Sequence, residues 1–143
     1  METMSRALAM PRIIGGPMKI AVMEDEYFIA DDFAVEIRRR GHETVGPFAE
    51  LSAAFQAASS AAIDAALLDI DLQGEASLGV ADLLLKRDIP FLIYTGYSRE
   101  VIPSRLAGYV VEKPNRIRDV LDRLFRDALA HGSPQTPVAL VSS

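Results

Sequence analysis

The stretch Lys19-Ile20-Ala21-Val22-Met23 is a short apolar run that stops at three consecutive carboxylates, Glu24-Asp25-Glu26. A run without alternation, cut off by charge, has the pattern of a strand buried on both faces, as in parallel sheets. The chain repeats the phrase. Ala65-Ala66-Leu67-Leu68 runs into Asp69. Phe91-Leu92-Ile93-Tyr94 follows Pro90 and ends at Thr95-Gly96, and Tyr109-Val110-Val111 ends at Glu112-Lys113-Pro114. Glu43-Thr44-Val45-Gly46 is a weaker strand of the same kind.

Helical patterns lie between these runs. Phe33 and Ile37, with Ala30 and Ala34 beside them, make one apolar face, and Arg38-Arg39-Arg40-Gly41 closes it with last-turn cations and a glycine stop. Nine of the 18 residues from Ala49 to Ala66 are alanine, with Leu51, Ala54, Phe55 and Ala58 at helical spacing and Asp64 as the expected end. Leu78 to Lys86 turns Val80, Leu83 and Leu84 inward. Ile117 to Leu129 does so with Ile117, Val120, Leu121, Leu124 and Phe125. Ser98 to Arg105 is short and broken by Pro103. Five strands alternating with helices predict an α/β fold, (βα)5, in which a doubly wound five-stranded parallel sheet carries helices on both faces.

Composition bounds the function. The 143 residues suit one domain. Fifteen Lys and Arg against 20 Asp and Glu leave a net charge of -5, which argues against a nucleic-acid surface. Without cysteine there is no disulfide, thiol nucleophile or zinc–thiolate site. His42 and His131 are the only imidazoles and lie far apart; His42, after a helix-ending glycine, is expected to be an exposed turn residue. No apolar run has the length of a membrane span, and Pro11 and Arg12 interrupt any signal-like stretch, so a cytoplasmic protein without a membrane partner is expected. Residues 1–17 and 132–143, rich in Gly and Pro at their inner ends, are expected as tails around a domain at 18–131, and Met18 is a second candidate start.

In doubly wound sheets ligands bind beyond the carboxyl ends of the strands. Glu24, Asp25 and Glu26 stand at the first such end, Asp69 and Asp71 at the third, Thr95 at the fourth and Lys113 at the fifth. Clustered carboxylates repel one another unless a cation neutralises them, and oxygen ligands suit Mg²⁺. Lys113 supplies a point charge for a phosphoryl oxygen, Thr95 a hydroxyl, and Asp69 a nucleophile able to form an acyl phosphate. The lysine is expected as an ammonium in a wet acidic pocket. Each feature alone is ordinary in a solvated loop; the constellation carries the argument.

With VMEDE at 22–26, ALLDIDL at 66–72, YTGY at 94–97 and EKP at 112–114, the chain resembles a response-regulator receiver domain, the phospho-accepting module of two-component signalling. It is similar in particular to stand-alone alphaproteobacterial receivers with a TGY motif, some of which work alongside histidine kinases in general stress signalling. The resemblance spans Met18 to His131 and implies a flavodoxin-like strand order, 2-1-3-4-5. It implies Asp69 as phospho-acceptor, and a Mg²⁺ site of Glu24, Asp25, Asp69 and the backbone carbonyl of Asp71. It implies Thr95 as switch hydroxyl, Lys113 as the phosphoryl's partner, and a cis bond before Pro114. The implied partners are a histidine kinase or histidine phosphotransfer protein and a downstream protein target, with a monomer or weak dimer as the state. The chain would be a phosphoryl acceptor rather than an enzyme, limited to self-phosphorylation from small donors and self-dephosphorylation.

The chain departs from the family pattern at two places. Val110 stands where an aromatic rotamer switch is usual, and Asn115 where an aromatic commonly follows the lysine-proline pair. Tyr109 points to the other face, so Tyr97 is the remaining candidate for the aromatic role. Tyr27, Phe28 and Asp31 are candidates for docking a histidine-containing partner, and Arg38-Arg39-Arg40 is expected as a solvated helix end. Three alternatives stay open: an aspartate-dependent phosphatase using Asp69-Ile70-Asp71 as a D-x-D motif, a phosphorylation-independent receiver-fold binding module, and a nucleotide- or flavin-binding protein of the same topology. The last would want a Gly- or Ser/Thr-rich phosphate loop after the first strand, where Glu24-Asp25-Glu26 would repel phosphate without a metal.

Overall fold

The computed structural model describes residues 16–130. One parallel sheet contains β1 (Lys19–Met23), β2 (Glu43–Phe48), β3 (Ala65–Leu68), β4 (Phe91–Thr95) and β5 (Val110–Glu112), in the order β2-β1-β3-β4-β5. The helices are α1 (Tyr27–Arg39), α2 (Leu51–Ser60), α3 (Leu78–Lys86), α4 (Ser104–Ala107) and α5 (Ile117–Ala130). This is the (βα)5 sheet that the sequence pattern predicts, in the strand order 2-1-3-4-5 that the resemblance implies. The expected tails fall outside the described residues except for Gly16 and Pro17, as does His131. No helix among the described residues is long and apolar enough to cross a membrane.

Successive residues of a strand face opposite sides of the sheet. Ile20 and Val22 therefore join the layer under α1 and α5, while Ala21 and Met23 join the layer under α2, α3 and α4. With both faces covered, β3 and β4 are buried at every position, which is why they show no alternation. Small side chains hold α2 close: Ala54, Ala57 and Ala58 are buried. Phe55 is exposed and lies over Gly79 of α3, where an added Cβ would come within 2.7 Å of its ring.

The helix expected to run toward Asp64 ends instead at Ser60. The hydroxyls of Ser59 and Ser60 donate back to the Gln56 carbonyl at 3.0 and 2.8 Å, and Ala61 turns to an extended ψ of 151°. Asp64 serves the sheet, its Oδ2 accepting the Lys19 N–H at 2.7 Å. Strand β2 also runs two residues past Gly46, through a cis Gly46–Pro47 bond. Gly46 has a φ of 94°, and a Cβ there would meet the Phe48 ring at 2.8 Å.

The C-terminus of α1 closes as a Schellman turn on Gly41, whose φ is 87°. His42 N–H donates to the Ile37 carbonyl at 3.1 Å and Gly41 N–H to the Arg38 carbonyl at 2.9 Å. This turn brings His42 against α5 rather than into solvent, correcting the expected exposed turn residue. Its Nδ1 accepts the Met18 N–H at 2.9 Å, and its ring stacks on Phe125 at 4.7 Å. Arg40 is likewise not a solvated end. It pairs with Glu36 at 2.9 Å and Asp122 at 2.9 Å, with its guanidinium 5.7 Å from the Phe125 ring centre.

One turn of helix is too short to hold itself. Besides burying Leu106, α4 is tied to α3 by a two-pronged Arg105–Asp82 pair at 2.9 Å. Arg123 of α5 donates to the Gly108 carbonyl at 2.7 Å. A 3₁₀ turn, Arg99–Val101, precedes α4.

Hydrogen bonds from Arg39, then Arg40, hold the Glu36 carboxyl down to about 2. A folded-state value below the ordinary 4.5 means that ionised Glu36 supports the fold above that pH, and that its support fades as acid approaches pH 2. Glu36→Gln is therefore expected to lower the Tm at neutral pH, with the gap to wild type narrowing from about pH 4.5 downward. Thermal melts across that range check this, and a gap independent of pH contradicts it.

Candidate functional site

Parallel register aligns the carboxyl ends of four strands. Met23 is level with Leu68, Leu68 with Ile93, and Ile93 with Val110, while Thr95 is level with Glu112. The residues just beyond these positions converge. Glu24, Asp25 and Asp69 each bring one carboxylate oxygen within 4.8 Å of the others. Glu24 and Asp69 are 4% and 5% exposed. The Lys113 Nζ lies 3.0 Å from Glu24 Oε1, 2.6 Å from Glu26 Oε2 and 2.9 Å from Asp69 Oδ2. Its side chain keeps only 13% exposure, so the pocket is drier than the wet one expected.

Burial pushes the Glu24 carboxyl up to about 7, and the Asp69 charge adds to that; the Glu26 N–H and Lys113 offset it only in part. For Lys113 burial acts the other way, toward a lower value. Its hydrogen bonds to Glu26, Asp69 and Glu24 outweigh burial and hold it above the ordinary lysine range.

Thr95 is fully buried at the end of β4. Its hydroxyl accepts the Tyr97 N–H at 3.4 Å and makes no hydrogen bond to Asp69, and its carbonyl accepts the Lys113 N–H at 2.7 Å. The Lys113–Pro114 bond is cis, as the resemblance implies. Asp71 does not bring its carboxylate into the cluster: Oδ1 accepts the Gly74 N–H at 2.7 Å, while its N–H donates to Asp69 Oδ1 at 3.3 Å.

Three supports were not apparent in the sequence. A two-residue ribbon, Asp71–Leu72 against Glu75–Ala76, turns at Gln73-Gly74, both at positive φ, and the Gln73 N–H holds Asp25 Oδ2 at 2.8 Å. Buried Ser77 donates its hydroxyl to the Asp69 carbonyl. The Tyr94 hydroxyl both donates to the Asn115 carbonyl and accepts the Asn115 N–H, each at 2.9 Å. That fixes the chain after Lys113 where an aromatic would otherwise stand. Gly74, suited to the positive φ of a tight turn, was the one local signal for the ribbon.

The donors are all hard oxygens, as Mg²⁺ prefers, and opposite ligands of an octahedral Mg²⁺ lie about 4.2 Å apart. A triad already within 4.8 Å fits that ion with little closure.

No protein-family profile matches the sequence, and no curated protein matches it; solved structures do. SdrG from Sphingomonas melonis Fr1 is 31% identical with a TM-score of 0.69, over 81% of this chain and 99% of that one. The REC domain of the PhyR response regulator from Erythrobacter litoralis is 24% identical with a TM-score of 0.70, over 87% and 98%. The response regulator TrrA from Thermotoga maritima, solved in complex with Mg²⁺-BeF, is 25% identical with a TM-score of 0.66, over 76% and 97%. The chain belongs to the response-regulator receiver-domain family.

Removing Lys113 leaves two buried carboxylates facing each other. Lys113→Ala is expected to cost about 3 kcal/mol in the absence of divalent cations. Adding Asp69→Asn should restore part of that loss, because the two sites are coupled. Urea titrations of both variants in EDTA check this, and an equal loss with and without Asp69→Asn contradicts it.

Proposed function

We propose that this chain accepts a phosphoryl group on Asp69 from the phosphohistidine of a histidine kinase or histidine phosphotransfer protein, and hands the signal on by protein contact. The observation that carries this is the Asp69–Lys113 pair at 2.9 Å, set beside Glu24 and Asp25 at the carboxyl end of the sheet.

In the transfer, an Asp69 carboxylate oxygen attacks phosphorus and the phosphorus–nitrogen bond to the imidazole breaks. The ring nitrogen keeps the electron pair and takes up a proton. Lys113 moves its hydrogen bond from Asp69 to a phosphoryl oxygen. The Thr95 hydroxyl, an acceptor in the resting site, turns to donate to the same group. Glu24, Asp25, Asp69 and the Asp71 carbonyl would hold Mg²⁺, which when bound supplies positive charge to the phosphoryl oxygens.

Tyr27 and Phe28, 71% and 80% exposed and packed edge to face at 5.3 Å, support a docking face at the start of α1, beside the pocket. The commitment of the Asp71 carboxylate to Gly74 favours an acceptor over a phosphatase, which needs that group as its acid–base. The retention of Asp69, Thr95 and Lys113 in one pocket favours phosphorylation over a binding module that keeps only the fold. The chain's own chemistry is then limited to self-phosphorylation from small donors and self-dephosphorylation.

Intact mass after incubation with acetyl phosphate and Mg²⁺ tests the assignment. One phosphoryl group per chain is expected for the wild type, and none for Asp69→Asn or in EDTA. Full labelling of Asp69→Asn would overturn it, as would a wild type labelled neither by acetyl phosphate nor by a phosphorylated kinase.

A further inference from the structure

Neither Tyr109 nor Val110 offers a mobile aromatic ring to relay a change at the pocket. Val110 is fully buried and β-branched, which restricts its rotamers. Tyr109 lies flat on Phe91, with 4.5 Å between ring centres and 10° between planes.

Arg99, four residues beyond Thr95, bridges the same ground with its main chain and its guanidinium. Its N–H donates to Glu112 Oε2 at 2.9 Å, its Nε to the Ala107 carbonyl at 3.1 Å and its Nη2 to the Val110 carbonyl at 2.7 Å. One residue thus ties the loop after β4 to the last residue of α4 and to both ends of β5. A C-terminal helix cap would account for the bond to Ala107. It does not account for the bonds to Val110 and Glu112, which reach the strand paired with Thr95 and immediately preceding Lys113.

On the reading that Asp69 is the acceptor, we infer that Arg99 is the positioning residue that couples Thr95 to α4. The loop 96–98 is anchored at one end by Thr95, whose carbonyl holds the Lys113 N–H, and at the other by Arg99. When the Thr95 hydroxyl turns toward a phosphoryl group, that short loop draws on Arg99, and the guanidinium carries the displacement to the Ala107 end of α4. A four-residue helix resting on one buried leucine and a few arginine contacts is easily shifted.

Amide ¹H–¹⁵N spectra of the full chain, with and without beryllofluoride and Mg²⁺, test this in wild type, Arg99→Ala and Arg99→Lys. In wild type, shifts are expected at 68–70, 95–97 and 104–108. In Arg99→Ala the first two groups persist and the response at 104–108 falls about threefold or more. Arg99→Lys keeps the charge but loses the fork, so its response at 104–108 falls to an intermediate level; it also supplies the answer if the alanine variant does not fold. An undiminished response at 104–108 in the variants, with 68–70 still responding, overturns the coupling alone. No response at 68–70 in wild type overturns the acceptor reading and the coupling with it.

Discussion

A single ammonium group, the Nζ of Lys113, holds three carboxylates that would otherwise repel one another. Glu24 and Asp69 are buried, and burying like charges side by side is unfavourable by several kcal/mol unless a cation is shared between them. The residues involved come from β1, β3 and β5, so the arrangement exists only when the strands lie in the order β2-β1-β3-β4-β5. The strand order and the Tyr94–Asn115 clamp both help place one nitrogen atom. The arrangement is also unbalanced. Glu24, Asp25 and Asp69 outnumber the lysine, so the pocket retains an appetite for positive charge, and it sits where a phosphoryl group would bring still more negative charge.

The surrounding structure restricts motion on one side of this pocket and permits it on the other. Toward β3, Asp69 is held through its carbonyl by Ser77, and Asp25 through its carboxylate by the Gln73 turn. Toward β4 and β5, the Thr95 hydroxyl has only a long contact to Tyr97, and the following helix is a single turn. An acceptor that stays in place, beside a weakly held hydroxyl and a one-turn helix held by a few arginine ties, is the division of labour a switch requires.

Much of this was legible in the sequence because charge interrupts apolar runs at the functional edge. Ala65–Leu68 and Phe91–Thr95, buried throughout, announce a two-sided sheet, and the residues that end each run are the residues of the site. What was not legible depends on tertiary neighbours. The ribbon at Asp71–Ala76 is too short to show a period. Pro47 looks like a strand terminator, yet β2 continues to Phe48 around it. His42 and Arg40 look solvated until α5 supplies Phe125 and Asp122. Glu26, the closest contact of Lys113, sits on the exposed rim, where nothing local distinguishes it from an ordinary loop acid.

The central claim is that the Glu24, Asp25 and Asp69 triad is a divalent-cation site in which Lys113 bridges Glu24 and Asp69 in the cation's absence. Anomalous diffraction from crystals soaked in Mn²⁺ tests it most directly. The account predicts one strong peak within bonding distance of Glu24, Asp25 and Asp69 or their bridging waters, with Lys113 drawn away from Glu24. A pocket without a peak at saturating Mn²⁺, with Lys113 still bonded to Glu24 and Asp69, would contradict it.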